Sequence, residues 1–204
     1  MDEWVSKQIQ AISRVIKPNW CFADVGACRG ELLTYFQETM AYGYAFEPDS
    51  NNQKYLQGII GTDDGWYTPK VELIKSAVSN IDGSVKFYNS DSHIGNLLGH
   101  DMSGNRYHSY VEVPSVTLDS FFANKQIDFI KVDIEGAEWD LFEGARKLLK
   151  ERNIVWQVEF HLDEDWHRRS ILEEYGYNMY DLDLNKLRDD ATRPYQAILL
   201  KENV

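Results

Sequence analysis

Residues 20–30 of the chain have the sequence WCFADVGACRG. An apolar run that ends in Asp24 and Gly26 is typical of a strand buried in a parallel sheet. Gly26 and Gly30 let the backbone turn tightly and approach a ligand, since neither carries a Cβ atom. A helical pattern begins after Gly30 and directs its amino end towards the same place. The segment therefore predicts the strand, loop and helix that open a Rossmann-like fold.

Strands and helices alternate on both sides of this segment. The strand patterns cover residues 20–26, 42–48, 71–79, 128–136, 153–161 and 194–201, with a short added strand at 83–89. The helical patterns cover residues 2–16 of an N-terminal helical region (1–18), the stretch after Gly30, 49–58, the stretch from Leu141 to Leu149, and 164–175. This alternation predicts parallel βαβ units in a doubly wound α/β sheet. No repeat or linker interrupts the pattern, so we expect a single domain over residues 1–204.

The composition narrows the range of functions. The 204 residues include 33 acidic and 21 basic side chains, for a formal net charge of −12. Affinity for phosphates comes largely from Lys and Arg, so we expect no nucleic-acid partner. The chain has no apolar run that could span a bilayer and no signal-peptide profile at its start, which predicts a cytoplasmic protein without a membrane partner. Cys21 and Cys28 are interpreted as reduced thiols.

Glu47 is the second feature that indicates a nucleoside ligand. It closes the second predicted strand, 21 residues after Gly26, where a carboxylate can accept hydrogen bonds from both ribose hydroxyls. NAD and S-adenosylmethionine (SAM) both carry an adenosine. The dinucleotide fingerprint places a glycine where this chain has Cys28. SAM has no pyrophosphate, and its cationic groups favour a carboxylate such as Asp24, so the loop favours SAM.

The fourth predicted strand carries charges in its middle. Side chains alternate along a strand, which predicts that Lys131, Asp133 and Glu135 share one face. Glu159 and His161 share a face of the fifth predicted strand in the same way. Burying such groups is costly unless they are paired or functional. Two interpretations stay open: a buried ion-pair network, and a polar floor that positions a substrate hydroxyl and a methyl donor.

Six segments carry a family resemblance. They are DVGACRG (24–30), FEPD (46–49), SAVS (76–79), TLDSF (117–121), DFIKVDIEGAE (128–138) and VEFH (158–161). In this order the sequence resembles the FkbM-type methyltransferases over about residues 20–161. The resemblance implies a class I methyltransferase fold with seven strands, of which the last is antiparallel. It also implies SAM as the methyl donor and O-methylation, often of sugars or natural-product hydroxyls.

The same resemblance implies roles for individual residues. Asp24, Gly26 and Gly30 would line the methionine end of SAM. Glu47 would hold the ribose, and Ser76 and Ala77 would lie beside the adenine. Asp133 would face the amino-acid moiety or the reacting centre. The full set of expected cofactor-binding residues is Asp24, Gly26, Ala27, Cys28, Gly30, Glu47, Pro48, Ser76, Ala77 and Asp133.

The expected catalytic residues come from the charged face. A base is needed only to remove the hydroxyl proton, and His161, Glu135 and Asp133 are candidates in no fixed order, with Lys131 beside them. Asp133, Glu135, Glu159 and His161 are also plausible ligands of a hard ion. Carboxylates next to a lysine more often form ion pairs, so no metal ligand is assigned.

Other functions remain possible on the same fold. An NAD(P)-dependent oxidoreductase is disfavoured by Cys28, and a non-catalytic SAM-binding module is a further alternative because a fold does not fix a function. Residues 90–109 are polar and contain three glycines, and two interpretations stay open for them: a mobile solvated loop, and a loop that covers the substrate. We expect a small-molecule or saccharide substrate, and the sequence does not indicate the oligomeric state.

Overall fold

The protein is built around a seven-stranded sheet. A computed structural model describes residues 3–61, 70–89, 95–96, 109–162, 166–188 and 193–201. The strands lie in the spatial order β10 (Tyr177–Tyr180), β11 (Gln196–Lys201), β9 (Val155–Glu159), β8 (Phe129–Val132), β1 (Cys21–Val25), β2 (Tyr42–Phe46) and β3 (Val71–Ile74). β11 is antiparallel to both of its neighbours, and the other pairs are parallel. The predicted doubly wound sheet with an antiparallel C-terminal strand is confirmed.

Helices cover both faces of this sheet. One layer contains α1 (Glu3–Ile12), α2 (Leu33–Thr39) and α3 (Ser50–Ile60), and the other contains α4 (Leu118–Phe121), α5 (Glu138–Glu143), α6 (Arg146–Glu151) and α7 (Ser170–Glu174). Ile130 and Val132 of β8 pack in the core on the α5 and α6 side. Phe129 packs on the opposite side with Phe36 of α2. The predicted alternation of side chains between the two faces of this strand is therefore present from Phe129 to Val132.

A second sheet lies beside the first. It contains β4 (Ala77–Val78), β7 (Val111–Val116), β5 (Gly83–Asn89) and β6 (Gly95–Asn96), in that spatial order. The prediction of one strand over residues 71–79 is wrong. The Glu47 N–H donates to the carbonyl of Ile74 where β2 ends, and beyond that point the chain pairs with β7 instead. Of the predicted substrate loop, residues 90–94 and 97–108 lie outside the described residues.

Several predicted elements end earlier than the sequence pattern indicated. The N-terminal helix stops at Ile12, and the strand predicted over residues 128–136 stops at Val132. The helix expected through Leu141–Leu149 is divided between α5 and α6 at Gly144. A Cβ atom on Gly144 would overlap the carbonyl oxygen of Ser79, so this position must approach the second sheet closely.

The carboxyl-terminal part also departs from the prediction in detail. The helix expected over residues 164–175 begins, within the described residues, with a 3-10 turn at Trp166–Arg169 and continues as α7. Residues 163–165 are outside the described part of the chain. None of the helices that the structure describes is long and apolar enough to cross a membrane.

The position of β11 between two strands leads to a stability prediction. Ile198 and Leu199 are both fully buried and belong to the cores on opposite faces of the sheet. Ile198→Ala and Leu199→Ala should each lower the free energy of unfolding by about 2–5 kcal/mol, because each leaves a cavity in a packed layer. Urea denaturation measures both changes. Ile81→Ala, at an exposed position, is the control. A loss in only one of the two buried variants would show that one face of β11 is uncovered.

Candidate active site

A cavity of about 360 Å³ opens at the carboxyl ends of β1, β2, β8 and β9. Ligands of doubly wound sheets bind at this edge. Most of the residues expected from the sequence line it, namely Asp24, Gly26, Ala27, Cys28, Glu47, Pro48, Ser76, Ala77, Lys131, Asp133 and Glu135. Gly30 and His161 do not line the cavity. His161 lies behind the wall, in contact with Asp133, Glu135 and Glu159.

The glycines of the first loop allow close packing around it. Gly26 has a φ of +78°, and a Cβ atom there would overlap the carbonyl oxygen of Asp133. A Cβ on Gly30 would lie 2.9 Å from Cδ1 of Ile59. The loop therefore needs these glycines so that the segment after β8 and helix α3 can pack against it. Gly26 also lines the cavity, and its position beside a ligand stays a prediction.

Cys28 adopts a conformation that glycine would adopt easily. Its φ is +47°, and its N–H donates a 2.8 Å hydrogen bond to Oε2 of Glu47. Burial, followed by the charges of Glu31 and Glu47, raises the pKa of the Cys28 thiol to about 12. Cys28 is therefore a neutral thiol in the cavity wall, and a reactive thiolate is disfavoured.

Glu47 is a buried carboxylate held in one orientation. The N–H groups of Cys28 and Asp49 donate to its two oxygens, at 2.8 and 2.7 Å. Burial raises the pKa of Glu47 to about 7, although these hydrogen bonds act in the opposite direction. Each carboxylate oxygen has a second lone pair. The side-chain amide of Asn52 also donates to this carboxylate, so Glu47 keeps one lone pair with which to accept a hydrogen bond from a ligand in the cavity.

Lys131 lies at the centre of the cavity floor. Its Nζ atom is 3.3 Å from Oδ1 of Asp24, 3.4 Å from Oδ2 of Asp133 and 3.1 Å from the carbonyl oxygen of Gly26. Burial lowers the pKa of Lys131, but the charges of Asp24 and Asp133 outweigh burial and raise it. Lys131 is therefore a permanent cation, which excludes it as a proton acceptor.

The floor continues as a polar row across the central strands. Lys131 is in register with Asp24 on one side and with Gln157 on the other. The side-chain amide of Gln157 donates to Oε1 of Gln8, at 3.3 Å. Helix α1 thus covers the polar row and contributes Trp4, Val5 and Gln8 to the cavity lining.

His161 is enclosed by carboxylates. Its Nδ1 atom lies 2.9 Å from Oε1 of Glu138, and Nε2 lies 3.4 Å from Oε1 of Glu159 and 3.6 Å from Oε2 of Glu135. Burial lowers the pKa of His161, but the hydrogen bond with Glu138 and the nearby carboxylates of Glu159 and Glu135 raise it to about 10. A histidine with this pKa is protonated at neutral pH, which disfavours His161 as the base.

Asp133 and Glu135 come together through a turn and not through strand alternation. The strand ends at Val132, and Glu135 has a φ of +56°, which non-glycine residues rarely adopt. The Glu135 side chain is 26% exposed and lines the cavity. Burial raises the pKa of Glu135, although the charge of His161 lowers it. A carboxyl group of this kind is suited to accept a proton.

Sequence reasoning missed several of these residues. Glu138, the first residue of α5, is 1% exposed and accepts hydrogen bonds from both His161 and the Gly136 N–H. The available signal was a charge next to the apolar positions of its helix. The other missed residues of the lining include Trp4, Val5, Gln8, Glu31, Asn52 and Phe87.

Comparisons with known proteins agree with this geometry. A family model described as the methyltransferase FkbM domain matches residues 24–179, which include the glycine loop, Glu47 and the charged floor. No protein of the curated set matches the sequence.

Solved structures share the fold at low sequence identity. FkbM methyltransferase from Methylobacillus flagellatus KT has a TM-score of 0.54 and 17% identity, over 92% of this chain and 45% of that chain. The chain thus spans less than half the length of that protein. Precorrin-6y C5,15-methyltransferase from Geobacter metallireducens GS-15 has a TM-score of 0.54 and 10% identity, over 96% of this chain and 88% of that chain. A proposed methyltransferase from Streptococcus mutans, solved with SAH, has a TM-score of 0.53 and 10% identity, over 98% and 99% of the two chains.

The environment of Lys131 leads to a prediction about buried charge. Lys131→Met leaves Asp24, which is 1% exposed, without its cation and should lower the free energy of unfolding by about 3–5 kcal/mol. Adding Asp24→Asn should recover most of that loss. Arg146→Met removes an exposed ion pair with Glu143 and should cost less than about 1 kcal/mol. Urea denaturation compares the variants. If the second substitution recovered nothing, the loss would come from packing and not from charge.

Proposed function

Because the chain belongs to the FkbM methyltransferase family, whose model matches residues 24–179, we propose that it transfers the methyl group of SAM to a hydroxyl oxygen of a small molecule or saccharide. The observation that carries the proposal is the position of Glu47, a buried carboxylate at the end of β2 that faces the cavity. It is accompanied by an excess of carboxyl groups in the cavity, which suits a cationic methyl donor.

The residues of the cavity fit SAM in both charge and polarity. Among the residues that the structure describes, six carboxylic acids and one lysine line it: Asp24, Glu31, Glu47, Asp133, Glu135, Glu159 and Lys131. SAM carries an ammonium and a sulfonium group, which such a lining attracts. Glu47 would accept from the ribose hydroxyls, and Ala77, Val78 and Phe87 would contact the adenine. Asp133 would face the methionine end. SAM supplies an electrophilic methyl group.

The side chains of the protein would orient the acceptor and take its proton. Methyl transfer is an in-line displacement, so holding the two reactants in line contributes much of the rate. Glu135 would accept the hydroxyl proton because it reaches the cavity and its pKa is raised. His161 would lie behind it, and Lys131 would hold Asp133 in place.

The acceptor class follows from the charge of the protein. A net charge of −12 repels polyanions, so a small hydroxylated molecule or saccharide is favoured over nucleic acid. An NAD(P)-dependent oxidoreductase is the weaker alternative, since the Cys28 side chain takes the place of a glycine in the phosphate-binding loop.

A direct assay tests the proposed function. The full chain is incubated with methyl-labelled SAM and a panel of hydroxylated small molecules and saccharides, and label transfer is measured. Transfer to an acceptor oxygen is expected. If SAM binds but no acceptor is labelled, a non-catalytic SAM-binding module becomes the better description. If NAD binds and SAM does not, the proposal is wrong.

The role of Glu47 leads to a binding prediction. Glu47→Ala leaves the ribose hydroxyls without this acceptor and should weaken SAM binding by about 1–3 kcal/mol. Glu112→Ala, which removes an exposed carboxylate on β7, should leave it unchanged. Isothermal titration calorimetry measures both. Equal affinity in wild type and Glu47→Ala would remove Glu47 from the ribose site.

The raised pKa of Glu47 makes SAM binding depend on pH. Burial raises this pKa to about 7, so the neutral acid is populated below pH 7 and the carboxylate above it. Ribose hydroxyls donate to the carboxylate, and binding should therefore weaken as the pH falls below about 7, by up to about tenfold per pH unit. Titrations between about pH 5.5 and 8.5 test this. In Glu47→Ala this dependence should be absent, and its persistence would assign it to another group.

Glu135 is expected to affect turnover more than stability. Glu135→Gln keeps the shape of the side chain but cannot accept the proton, and it should lower kcat by about 100-fold or more. The melting temperature should change little because the side chain reaches the cavity. Glu173→Gln, on the exposed face of α7, is the control. Unchanged kcat in Glu135→Gln would exclude it as the proton acceptor.

A further inference from the structure

The Nε2 atom of His161 faces oxygens of three different carboxylates. It lies 3.4 Å from Glu159 Oε1, 3.6 Å from Glu135 Oε2 and 3.7 Å from Asp133 Oδ1. These distances exceed those of ordinary N–H···O hydrogen bonds, about 2.7–3.2 Å. They are close to the separation of about 3.0–3.5 Å between ligand atoms that each lie 2.0–2.2 Å from a shared metal ion. The spacing therefore suits an ion between these atoms better than a set of direct hydrogen bonds.

Three of the four residues form the tightest group. One ligand atom each from Asp133, Glu159 and His161 lies within 4.8 Å of the others. Asp133 and Glu159 also line the cavity, whereas His161 and Glu159 are almost fully buried. The group thus combines fixed ligand atoms with access from the space where the substrate would bind.

Glu138 fixes the orientation of the histidine ring. Its Oε1 atom lies 2.9 Å from Nδ1 of His161 and also accepts from the Gly136 N–H. Nε2 is therefore directed at the other carboxylates. Metal-binding histidines commonly have a carboxylate on the second ring nitrogen, which sets the tautomer and the ring plane.

Lys131 does not balance the charge of this group. It lies beside Asp133 but is shared with Asp24 and the Gly26 carbonyl. Asp133, Glu135, Glu138 and Glu159 converge on a single imidazole. Among the described residues this group has an excess of negative charge, which favours a divalent ion that takes the place of the proton on Nε2 of His161.

We propose that Asp133, Glu159 and His161 bind a divalent transition-metal ion at the floor of the cavity. Two carboxylates and one imidazole suit Mn²⁺ or Zn²⁺ better than Ca²⁺, which prefers an all-oxygen set. Three protein ligands leave coordination positions open, as catalytic metal sites do. This open side is directed to the cavity, next to Glu135.

The ion has a role in the proposed methyl transfer, and that role rests on the proposed function. A substrate hydroxyl bound to the ion has a lowered pKa. Its oxygen forms the bond to the methyl carbon, and the bond from that carbon to sulfur breaks. The bonding electrons remain on sulfur as a neutral thioether, and the hydroxyl proton passes to Glu135.

Metal binding is tested without SAM or an acceptor. The full chain is first treated with a chelator, and the chelator is then removed. The protein is titrated with Mn²⁺, and binding is measured by electron paramagnetic resonance. One bound ion per chain is expected, with ¹⁴N coupling from His161 in the spectrum. Asp133→Asn and His161→Asn should each weaken binding by at least about tenfold, since even the loss of a group that only orients a ligand costs 10- to 100-fold. Glu173→Gln is the matched control and should bind as the wild type does.

The outcomes are separable from those of the methyl-transfer assay. Asp133 is 31% exposed, so Asp133→Asn remains informative if the buried His161→Asn fails to fold, and melting curves show which variants are folded. Absence of binding up to about 1 mM Mn²⁺, the weak limit of protein divalent-ion sites, would overturn the proposal. Equal binding in a folded variant, or a bound ion without ¹⁴N coupling, would also overturn it. Methyl transfer that survives chelation would overturn the role of the ion and leave the methyltransferase assignment intact.

Discussion

The buried ammonium of Lys131 is the interaction on which the arrangement of the cavity depends. It joins Asp24 at the end of β1, the Gly26 carbonyl in the following loop and Asp133 after β8. The absence of a Cβ on Gly26 lets the Asp133 carbonyl reach the loop. The first loop and the end of β8 are therefore held together twice, by charge and by close packing. A neutral residue at position 131 would leave the buried carboxylate of Asp24 without its cation, and the loop that presents Cys28 to Glu47 would lose its support.

The alternation of short apolar runs with helical patterns was enough to predict the main sheet, because a central strand buried on both faces has a nearly continuous apolar sequence. It failed where the backbone leaves the extended conformation. The alternation of apolar and charged residues in 128–136 continues past Val132. The backbone there forms a turn, and the left-handed conformation of Glu135 sets the position of its side chain. The same limit explains why residues 71–79 were wrongly predicted as one strand. Hydrogen bonding to β2 stops at Ile74, whereas the apolar pattern continues beyond it. The periodicity of apolar residues indicates which residues are buried. It does not indicate which neighbouring strand a segment pairs with.

The site residues at the ends of strands were predictable from the sequence. The site residues that belong to helices were not. Glu47 follows from the length of a βαβ unit, since a fixed spacing brings the end of β2 next to the first loop. Glu138 and Gln8 carry no such constraint. Their roles depend on how α5 and α1 pack on the sheet, which follows from contacts distant in sequence, such as that between Gln8 and Gln157.

The carboxylates of the cavity also bear on the energetics of the proposed reaction. The sulfonium of SAM and the carboxylate of Glu135 would be opposite charges in a partly buried cavity, where each is less well solvated than in bulk water. Methyl transfer converts the sulfonium to a neutral thioether while the hydroxyl proton neutralises Glu135, so the reaction removes one charge of each sign and leaves the total unchanged. Removing such a pair is more favourable in a buried cavity than in bulk water, because water stabilises the separated ions and the cavity does so less. The contribution of Lys131 is then to hold Asp24 and Asp133 in place, so that Glu135, whose pKa is raised and which reaches the cavity, is the group that takes the proton.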